Sequence, residues 1–182
     1  MPFITEHKRK FDDLRVSLDS ENRSQLKREA NGGNTIIFSY KPDEEKLYVE
    51  KALELFPEHH LIDISELYVK AIDIVGIKDF KEYYQDYIST PDQVFKNKES
   101  SCLFMLIIEE IKKAVELNLT PFLIRTGALY GTGIENVNIM ENSTVMSCGS
   151  PLVIFYPSIH QQDNLLFLNF KPASKYRCKL IK

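Results

Sequence analysis

Two apolar segments separated by a glycine-containing loop constrain the fold of this chain more than any other part of its sequence. Residues 121–125 and 151–156 are rich in Leu, Ile, Val and Phe, and each has the length of a buried strand. A loop with three glycines and a short helical segment at about residues 134–140 lie between them. Strand, loop, helix and strand form the unit of parallel α/β sheets, which usually meet ligands or partners at the loops after the strands.

Two more strands are predicted before this stretch. Residues 35–40 and 60–64 are rich in β-branched and aromatic residues, and each precedes an amphipathic helix. The first helix is predicted to begin at Pro42, and the second to be capped by Ser65. The predicted buried face of the first helix consists of Leu47, Val49, Ala52, Leu53 and Phe56.

The end of the chain contains two further segments with the composition of strands. Residues 165–170 are mostly apolar, and residues 176–181 alternate in a way that suits a solvent-facing edge strand. These last two strands are predicted to form an antiparallel hairpin. The sequence therefore predicts an α/β fold with a mostly parallel, open, doubly wound-like sheet, flanked by helices and completed by a C-terminal antiparallel hairpin.

A charged helical segment is predicted at residues 1–30, within a single domain of residues 1–182. Phe11, Leu14 and Leu18 fall on one narrow apolar stripe and predict a helix from about residue 5 to residue 18. So narrow a stripe suits a helix that lies on the outside of the domain or on a partner.

A helical insert is predicted at residues 77–118. Thr90 and Pro91 have the pattern of a helix N-terminus, and a break is expected near residues 97–100. The run at residues 102–108 is apolar nearly all round, so its helix should be deeply buried.

Composition excludes several classes of protein. The chain has 182 residues, of which 43% are hydrophobic and 27% charged, and this suits one folded domain rather than a disordered segment. No apolar run has the length of a membrane span, and the N-terminus lacks the apolar centre of a signal peptide. Three widely spaced cysteines are typical of reduced thiols. We therefore expect a cytoplasmic protein.

The net charge of −3 is unevenly distributed along the chain. Residues 151–182 carry five basic residues, and Asp163 is their only acidic residue. In residues 31–119, by contrast, acidic residues outnumber basic ones. A basic C-terminal tail of this kind permits a weak contact with DNA, although an ordinary solvated surface explains it as well. A nucleic-acid binder usually has a broader basic patch with stacking aromatic residues.

The glycine-containing loop follows a strand and precedes a helix, where backbone N–H groups can bind phosphate. Gly127, Gly131 and Gly133 do not fit the P-loop pattern, because no lysine follows Gly131 or Gly133. The dinucleotide-binding pattern also fails, because Asn136 stands where its third glycine belongs. The two interpretations are a tight structural loop and a nucleotide-binding or nucleotide-cleaving enzyme that uses residues 127–133.

No other residue pattern predicts catalysis, a metal or a cofactor. His59 and His60 point to opposite faces of a strand and cannot bind one ion together. Cys148 has no identifiable base, and Asp63 is either an acid or base or the start of a turn. Arg125 ends a buried strand, so it either contacts an anion or forms a salt bridge with an acidic neighbour. The chain is therefore predicted not to be an enzyme.

The two central motifs are FLIRTGALY at residues 122–130 and PLVIFYP at residues 151–157. Residues 165–168 and 176–177 carry further strong motifs, and weaker ones occur at residues 36–45 and 61–67. In their order and spacing these motifs resemble the BrxB family, the small B proteins of BREX anti-phage defence systems.

The resemblance implies a non-catalytic adaptor or scaffold subunit that acts in antiviral defence. Its expected partner is PglZ, the alkaline-phosphatase-like protein of the same system, and no cofactor is implied. The residues that the resemblance marks as candidates for interaction are Arg125, Gly127, Tyr130, Tyr156, Pro157, Tyr176 and Arg177.

The sequence departs from the family pattern around one loop. Gly131 follows Tyr130 where a proline is usual, and residues 132–140 contain no arginine. Ser158 follows Pro157 where a glycine is usual. These departures concern the contacts of the loop and not the fold.

Overall fold

A computed structural model describes residues 2–97 and 101–182, and the side chains from residue 6 onward in these ranges. The strands are β1 (Thr35–Tyr40), β2 (His60–Asp63), β3 (Pro121–Ile124), β4 (Leu152–Gln161), β5 (Asn164–Phe167), β6 (Lys171–Ala173) and β7 (Cys178–Ile181). The helices are α1 (Pro2–Leu18), α2 (Arg23–Glu29), α3 (Glu45–Leu55), α4 (Ile64–Val75), α5 (Ile77–Asp86), α6 (Asp92–Phe95), α7 (Leu103–Glu116), α8 (Asn136–Met140) and α9 (Ser143–Ser147). Within the described ranges, none of these helices combines the length and the apolar character needed to cross a membrane.

Five strands form a parallel sheet in the order β2-β3-β4-β1-β7. In this register Val153 of β4 lies opposite Ile36 of β1 on one side and Phe122 of β3 on the other. β4 continues beyond the parallel region and pairs with β5 in the antiparallel direction, and β5 pairs with β6 in the same way. The prediction of an open, mostly parallel α/β sheet flanked by helices is confirmed.

The predicted C-terminal hairpin is wrong in its choice of strands. The antiparallel hairpin consists of β4 and β5, whereas β7 pairs with β1 in the parallel direction at the edge of the sheet. The turn between β4 and β5 holds only Gln162 and Asp163, and so short a connection makes them antiparallel neighbours. The chain then returns through β6 to the end of the sheet where β1 begins, and a strand that starts there runs parallel to β1.

The two faces of the sheet each support a hydrophobic core. Ile37, Leu123 and Ile154 point into the first core, which also contains buried residues of α4 and of α6 to α9. Phe38 and Phe155 point into the second core, which contains buried residues of α1, α2 and α3. Their rings stack with centroids 4.8 Å apart. Alternation along each strand thus divides the apolar residues between two layers of helices.

α1 lies against the sheet. Phe11 and Leu14 are buried in the second core, and the ring of Phe11 is 5.0 Å from that of Phe38. The outer positions of the helix carry charged residues, as the narrow stripe predicts. The helix predicted from about residue 5 to residue 18 is present as α1, which begins at Pro2.

Several predicted details of the helices are wrong. In α3, Leu47 and Leu53 are exposed by 44% and 47%, and Tyr48 is buried instead because it shares a helical face with Ala52. α4 is capped by Asp63 rather than Ser65, and α6 has Pro91 at its N-cap rather than Thr90.

The buried part of the helical insert is confirmed. α7 places Leu103, Ile107 and Ile111 in the first core with no exposed surface. α6 ends at Phe95, and the break expected near residues 97–100 falls partly on residues 98–100, which lie outside the described residues.

Gly33 lies where the chain before β1 touches the chain before β7. A Cβ atom at this position would be 1.9 Å from the carbonyl oxygen of Arg177, whereas a Cβ atom at Gly149 would meet nothing within 4 Å. We expect Gly33→Ala to lower the free energy of unfolding by about 2 kcal/mol or more, because two backbone segments must separate. Gly149→Ala, the matched control, should change it by less than about 0.5 kcal/mol in urea denaturation. Equal effects would contradict this account of Gly33.

Candidate functional site

The ends of the parallel strands define two edges of the sheet. The carboxyl edge is where β1, β2 and β3 end and where β4 leaves the parallel region, and the amino edge is where these strands begin. In open α/β sheets, ligand sites lie outside the carboxyl ends of the strands. Two groups of polar and aromatic residues lie at the carboxyl edge of this sheet.

The first group contains an ion pair between neighbouring strands. Arg125 follows β3 directly, in the left-handed conformation at φ 53°, and its guanidinium donates to the carboxylate of Asp63 at the end of β2. Asp63 also caps α4, because its Oδ1 accepts from the Ser65 backbone N–H at 2.9 Å and from the Ser65 hydroxyl at 2.6 Å. The salt bridge expected as one interpretation of Arg125 is present. About half of the Arg125 side chain remains in contact with solvent.

An exposed pair of aromatic rings also lies at the carboxyl edge. Tyr130 and Phe170 meet edge to face with centroids 5.5 Å apart, and they are exposed by 55% and 59%. The segment before Tyr130 is a short 3-10 turn, held to the sheet by the Thr126 hydroxyl, which donates 2.7 Å to the carbonyl of Phe155. We call Tyr130 and Phe170 the rim aromatic pair.

The glycine loop is packed against α6. Gly131 and Gly133 have φ values of 81° and 74°, and a Cβ atom at Gly133 would lie 2.7 Å from Cβ of Asp92. The carbonyl of Gly133 accepts from the Lys96 ammonium at 3.4 Å. The buried hydroxyl of Thr132 donates 2.7 Å to the carbonyl of Leu129. Neighbouring protein groups therefore occupy much of the space around the last glycine of the loop.

Tyr156 and Pro157 are both buried and contact other parts of the protein interior. Tyr156 is buried in the first core, stacks on Phe167 with ring centroids 4.7 Å apart, and has its pKa raised by burial and by the nearby charge of Glu135. Pro157 is buried at the point where β4 leaves the parallel sheet, and its carbonyl accepts from the backbone N–H of Leu168 at 2.8 Å.

Tyr176 and Arg177 lie at the amino edge, away from the other five candidate residues. They directly precede β7, whose first residue, Cys178, pairs with the first residue of β1. Arg177 is left-handed at φ 58°, and its Nε lies 3.9 Å from a carboxylate oxygen of Glu141. Tyr176 is exposed by 55%. The structure therefore brings Arg125, Gly127, Tyr130, Tyr156 and Pro157 to the carboxyl end of the sheet and leaves Tyr176 and Arg177 at the opposite end.

The second group at the carboxyl edge surrounds a pocket of about 400 Å³ that no sequence pattern indicates. We call it the basic pocket, because lysines and histidines predominate among its charged and titratable side chains. It is lined by Glu6, His7, Lys10, Ser39, Tyr40, Lys41, Glu44, Ser158, Ile159, His160 and Lys182. These residues come from α1, from the ends of β1 and β7 and from the antiparallel part of β4, so they are dispersed along the sequence.

Two buried polar contacts shape the floor of the basic pocket. Lys10 is only 6% exposed, and its ammonium lies 3.3 Å from a carboxylate oxygen of Glu6 and donates 3.3 Å to the carbonyl of Ser39. The hydroxyls of Ser39 and Ser158, on neighbouring strands, are 2.9 Å apart. Nε2 of His160 is buried and has no hydrogen-bond partner among the described residues.

Within the described ranges, no group of three or more His, Cys, Asp or Glu side chains is arranged to hold a metal ion. His59 illustrates the point, because its ring packs between aromatic rings, 5.5 Å from Phe56 and 4.9 Å from Phe122. Burial lowers the pKa of His59, with a smaller opposing effect of Glu58.

Of the two residues in the ion pair, Asp63 should contribute more to the stability of the fold than Arg125. Asp63→Ala removes a helix cap and leaves α4 donors unsatisfied, so we expect a loss of about 1–2 kcal/mol in the free energy of unfolding. Arg125→Ala removes a half-exposed charge and should cost less than about 1 kcal/mol. Urea denaturation of both variants measures the difference. A larger loss for Arg125→Ala would show that the ion pair, and not the cap, is the main contribution of Asp63.

Comparison with known proteins gives no further assignment. No protein-family model, no curated protein and no solved structure matches the chain.

Proposed function

We propose that the chain is a non-catalytic, cytoplasmic adaptor of a BREX-type phage-defence complex and that it binds a PglZ-like, alkaline-phosphatase-like partner. The resemblance of its central motifs to the BrxB family supports this role. The strand order β2-β3-β4-β1-β7, with helices on both faces, supports the doubly wound arrangement that the alternation of strands and helices predicts.

The observation that carries the proposal is the rim aromatic pair, at the same edge of the sheet as Arg125. Tyr130 and Phe170 expose more than half of their surfaces, and Arg125 exposes about half of its side chain at the same edge of the sheet. Aromatic residues and arginine dominate the energetic centres of protein interfaces. Arg125 and Tyr130 also belong to the FLIRTGALY motif, so the exposed contact residues coincide with the segment that carries the resemblance.

The alternative enzyme that uses residues 127–133 has less support. The left-handed Gly131 and Gly133 follow a parallel strand, which favours phosphate binding. The close approach of Asp92 to Gly133 opposes it, because the backbone and Cβ of Asp92 occupy the space beside this glycine that a phosphate would need. Calorimetry with ATP, GTP and NAD separates the two hypotheses, and binding that Lys41→Met in the basic pocket leaves unchanged would favour the enzyme.

Weak DNA binding through the basic tail also has less support. Three of its basic side chains face acidic partners: Lys171 lies 3.3 Å from Glu135, Arg177 lies 3.9 Å from Glu141, and Lys179 lies 2.8 Å from Glu29. The tail therefore presents less uncompensated charge than its composition implies. Binding to DNA at low ionic strength that weakens steeply with added salt would restore this hypothesis.

The adaptor hypothesis predicts a complex that depends on the rim aromatic pair. The double variant Tyr130→Ala/Phe170→Ala should weaken co-purification with the PglZ-like protein of the same system by about tenfold or more, because it removes two exposed rings from the contact. Leu117→Ala is the matched control, since Leu117 is exposed by 64% but precedes β3 at the amino edge and is not among the candidate residues. It should leave the complex unchanged. Absence of a complex with the unaltered chain at micromolar concentration would contradict the adaptor role itself.

A further inference from the structure

We infer that the basic pocket is a binding site for a tetrahedral oxyanion, in particular the phosphate group of a small phosphorylated molecule. This site is distinct from the rim aromatic pair and goes beyond the adaptor role. Three features carry the inference: the position of the pocket in the sheet, the charges around it, and a buried nitrogen without a partner.

The pocket lies at the carboxyl ends of β1 and β4, where the connections of neighbouring strands diverge. β1 is followed by α3, which packs in the second core, whereas β4 continues into its antiparallel pairing with β5. Ligands of open parallel sheets bind outside the carboxyl ends of the strands, and the pocket lies at that position.

The charges around the pocket favour an anion. Lys10, Lys41 and Lys182 face Glu6 and Glu44 across it. Glu6 is already within 3.3 Å of Lys10, and hydrogen bonding to the Lys10 ammonium, followed by its charge, lowers the pKa of Glu6. Because the buried side chain of Lys10 is held in one position, little side-chain entropy is lost when an anion binds there.

His160 supplies the most specific observation. Its Nε2 is buried without a hydrogen-bond partner among the described residues, and a buried polar atom without a partner is costly. Burial lowers the pKa of His160, and the cations Lys182, Lys175 and Lys10 lower it further. The ring of His160 lines the pocket, so an oxyanion bound there favours the protonated ring and offsets the unfavourable effect of the surrounding cations. The hydroxyls of Ser39 and Ser158 donate to the backbone carbonyls of Ser158 and Tyr156 and add polar groups beneath the pocket.

A neighbouring groove indicates an organic phosphate rather than a free ion as the ligand. A pocket of about 520 Å³ between α1 and α3 shares His7 with the basic pocket. Its walls include the apolar surfaces of Phe11, Leu47, Tyr48 and Leu55. The two spaces together suit a molecule with a phosphate at one end and an apolar or aromatic part at the other.

Sulfate is the probe for the site, because it has the shape of phosphate and keeps its charge across the pH range of the experiment. Binding is measured by calorimetry and thermal shift in sodium sulfate, against sodium chloride of equal ionic strength. The unaltered chain should bind sulfate with a dissociation constant on the order of millimolar, as expected for a small ion. Inorganic phosphate and a phosphorylated aromatic compound then distinguish a free ion from an organic phosphate.

Two variants in the pocket and one control outside it make the test specific. Lys41→Met and His160→Gln should each weaken sulfate binding by about fivefold or more. Lys46→Met, in α3 and outside the pocket, is the matched control for Lys41 and should stay within about twofold. The inference fails if sulfate has no effect beyond that of chloride, or if Lys41→Met and His160→Gln bind sulfate as well as the control does.

A pH series tests the role of His160. The charged and titratable groups that face it are Glu6, His7, Lys10, Tyr40, Lys41, Glu44, Lys175 and Lys182. Sulfate binding should strengthen by about threefold or more between about pH 8 and about pH 5.5, because a bound anion favours protonated His160. His160→Gln should lose most of this dependence, while any part due to His7 persists. An unchanged dependence in His160→Gln would exclude His160 from the site.

Discussion

The fold depends on the pairing of β4 with three other strands. Its first residues lie between β1 and β3 in the parallel sheet, and its last residues pair with β5 in the opposite direction. Phe155 at its centre is completely buried and stacks on Phe38 of β1. Both hydrophobic cores and the carboxyl edge are therefore organised by one ten-residue strand. Removing the Phe155 side chain would disturb all of them at once, because a cavity there lies against two strands and a helix layer.

Much of the fold is predictable from local sequence patterns. β1 has the bounds expected from its composition, and α7 is buried as its apolar run predicts. The extension of β4 beyond Tyr156 is not predictable in this way, because Pro157 normally ends a ladder that needs its N–H. Here Pro157 lies at the point where β4 leaves the parallel sheet. Its carbonyl accepts a hydrogen bond from the backbone N–H of Leu168. The direction of β7 depends on the path of the whole tail and has no local signal.

The candidate sites differ in how far sequence reveals them. Arg125 stands out because it ends an apolar strand, Tyr130 because it belongs to the same motif, and the structure places both at the carboxyl edge. The basic pocket is hidden in the sequence, since Lys10, Ser39 and His160 belong to three different elements. Only the alternation of side chains across β1 and β4, together with the position of α1, brings them together. A polar residue inside an apolar strand, such as Ser39, is the one local signal of the pocket.

The register of β1 also has a consequence for the synthesis of the protein. Thr35 pairs with Leu152 on one side and with Cys178 on the other, so both neighbours of β1 belong to the last part of the chain. At ordinary rates of translation, β1 emerges from the ribosome on the order of ten seconds before its first partner exists. During that interval an apolar, β-prone segment lacks its sheet. We expect the nascent chain to rely on α1, which is synthesised earlier, or on a chaperone to cover this segment until β4 is complete.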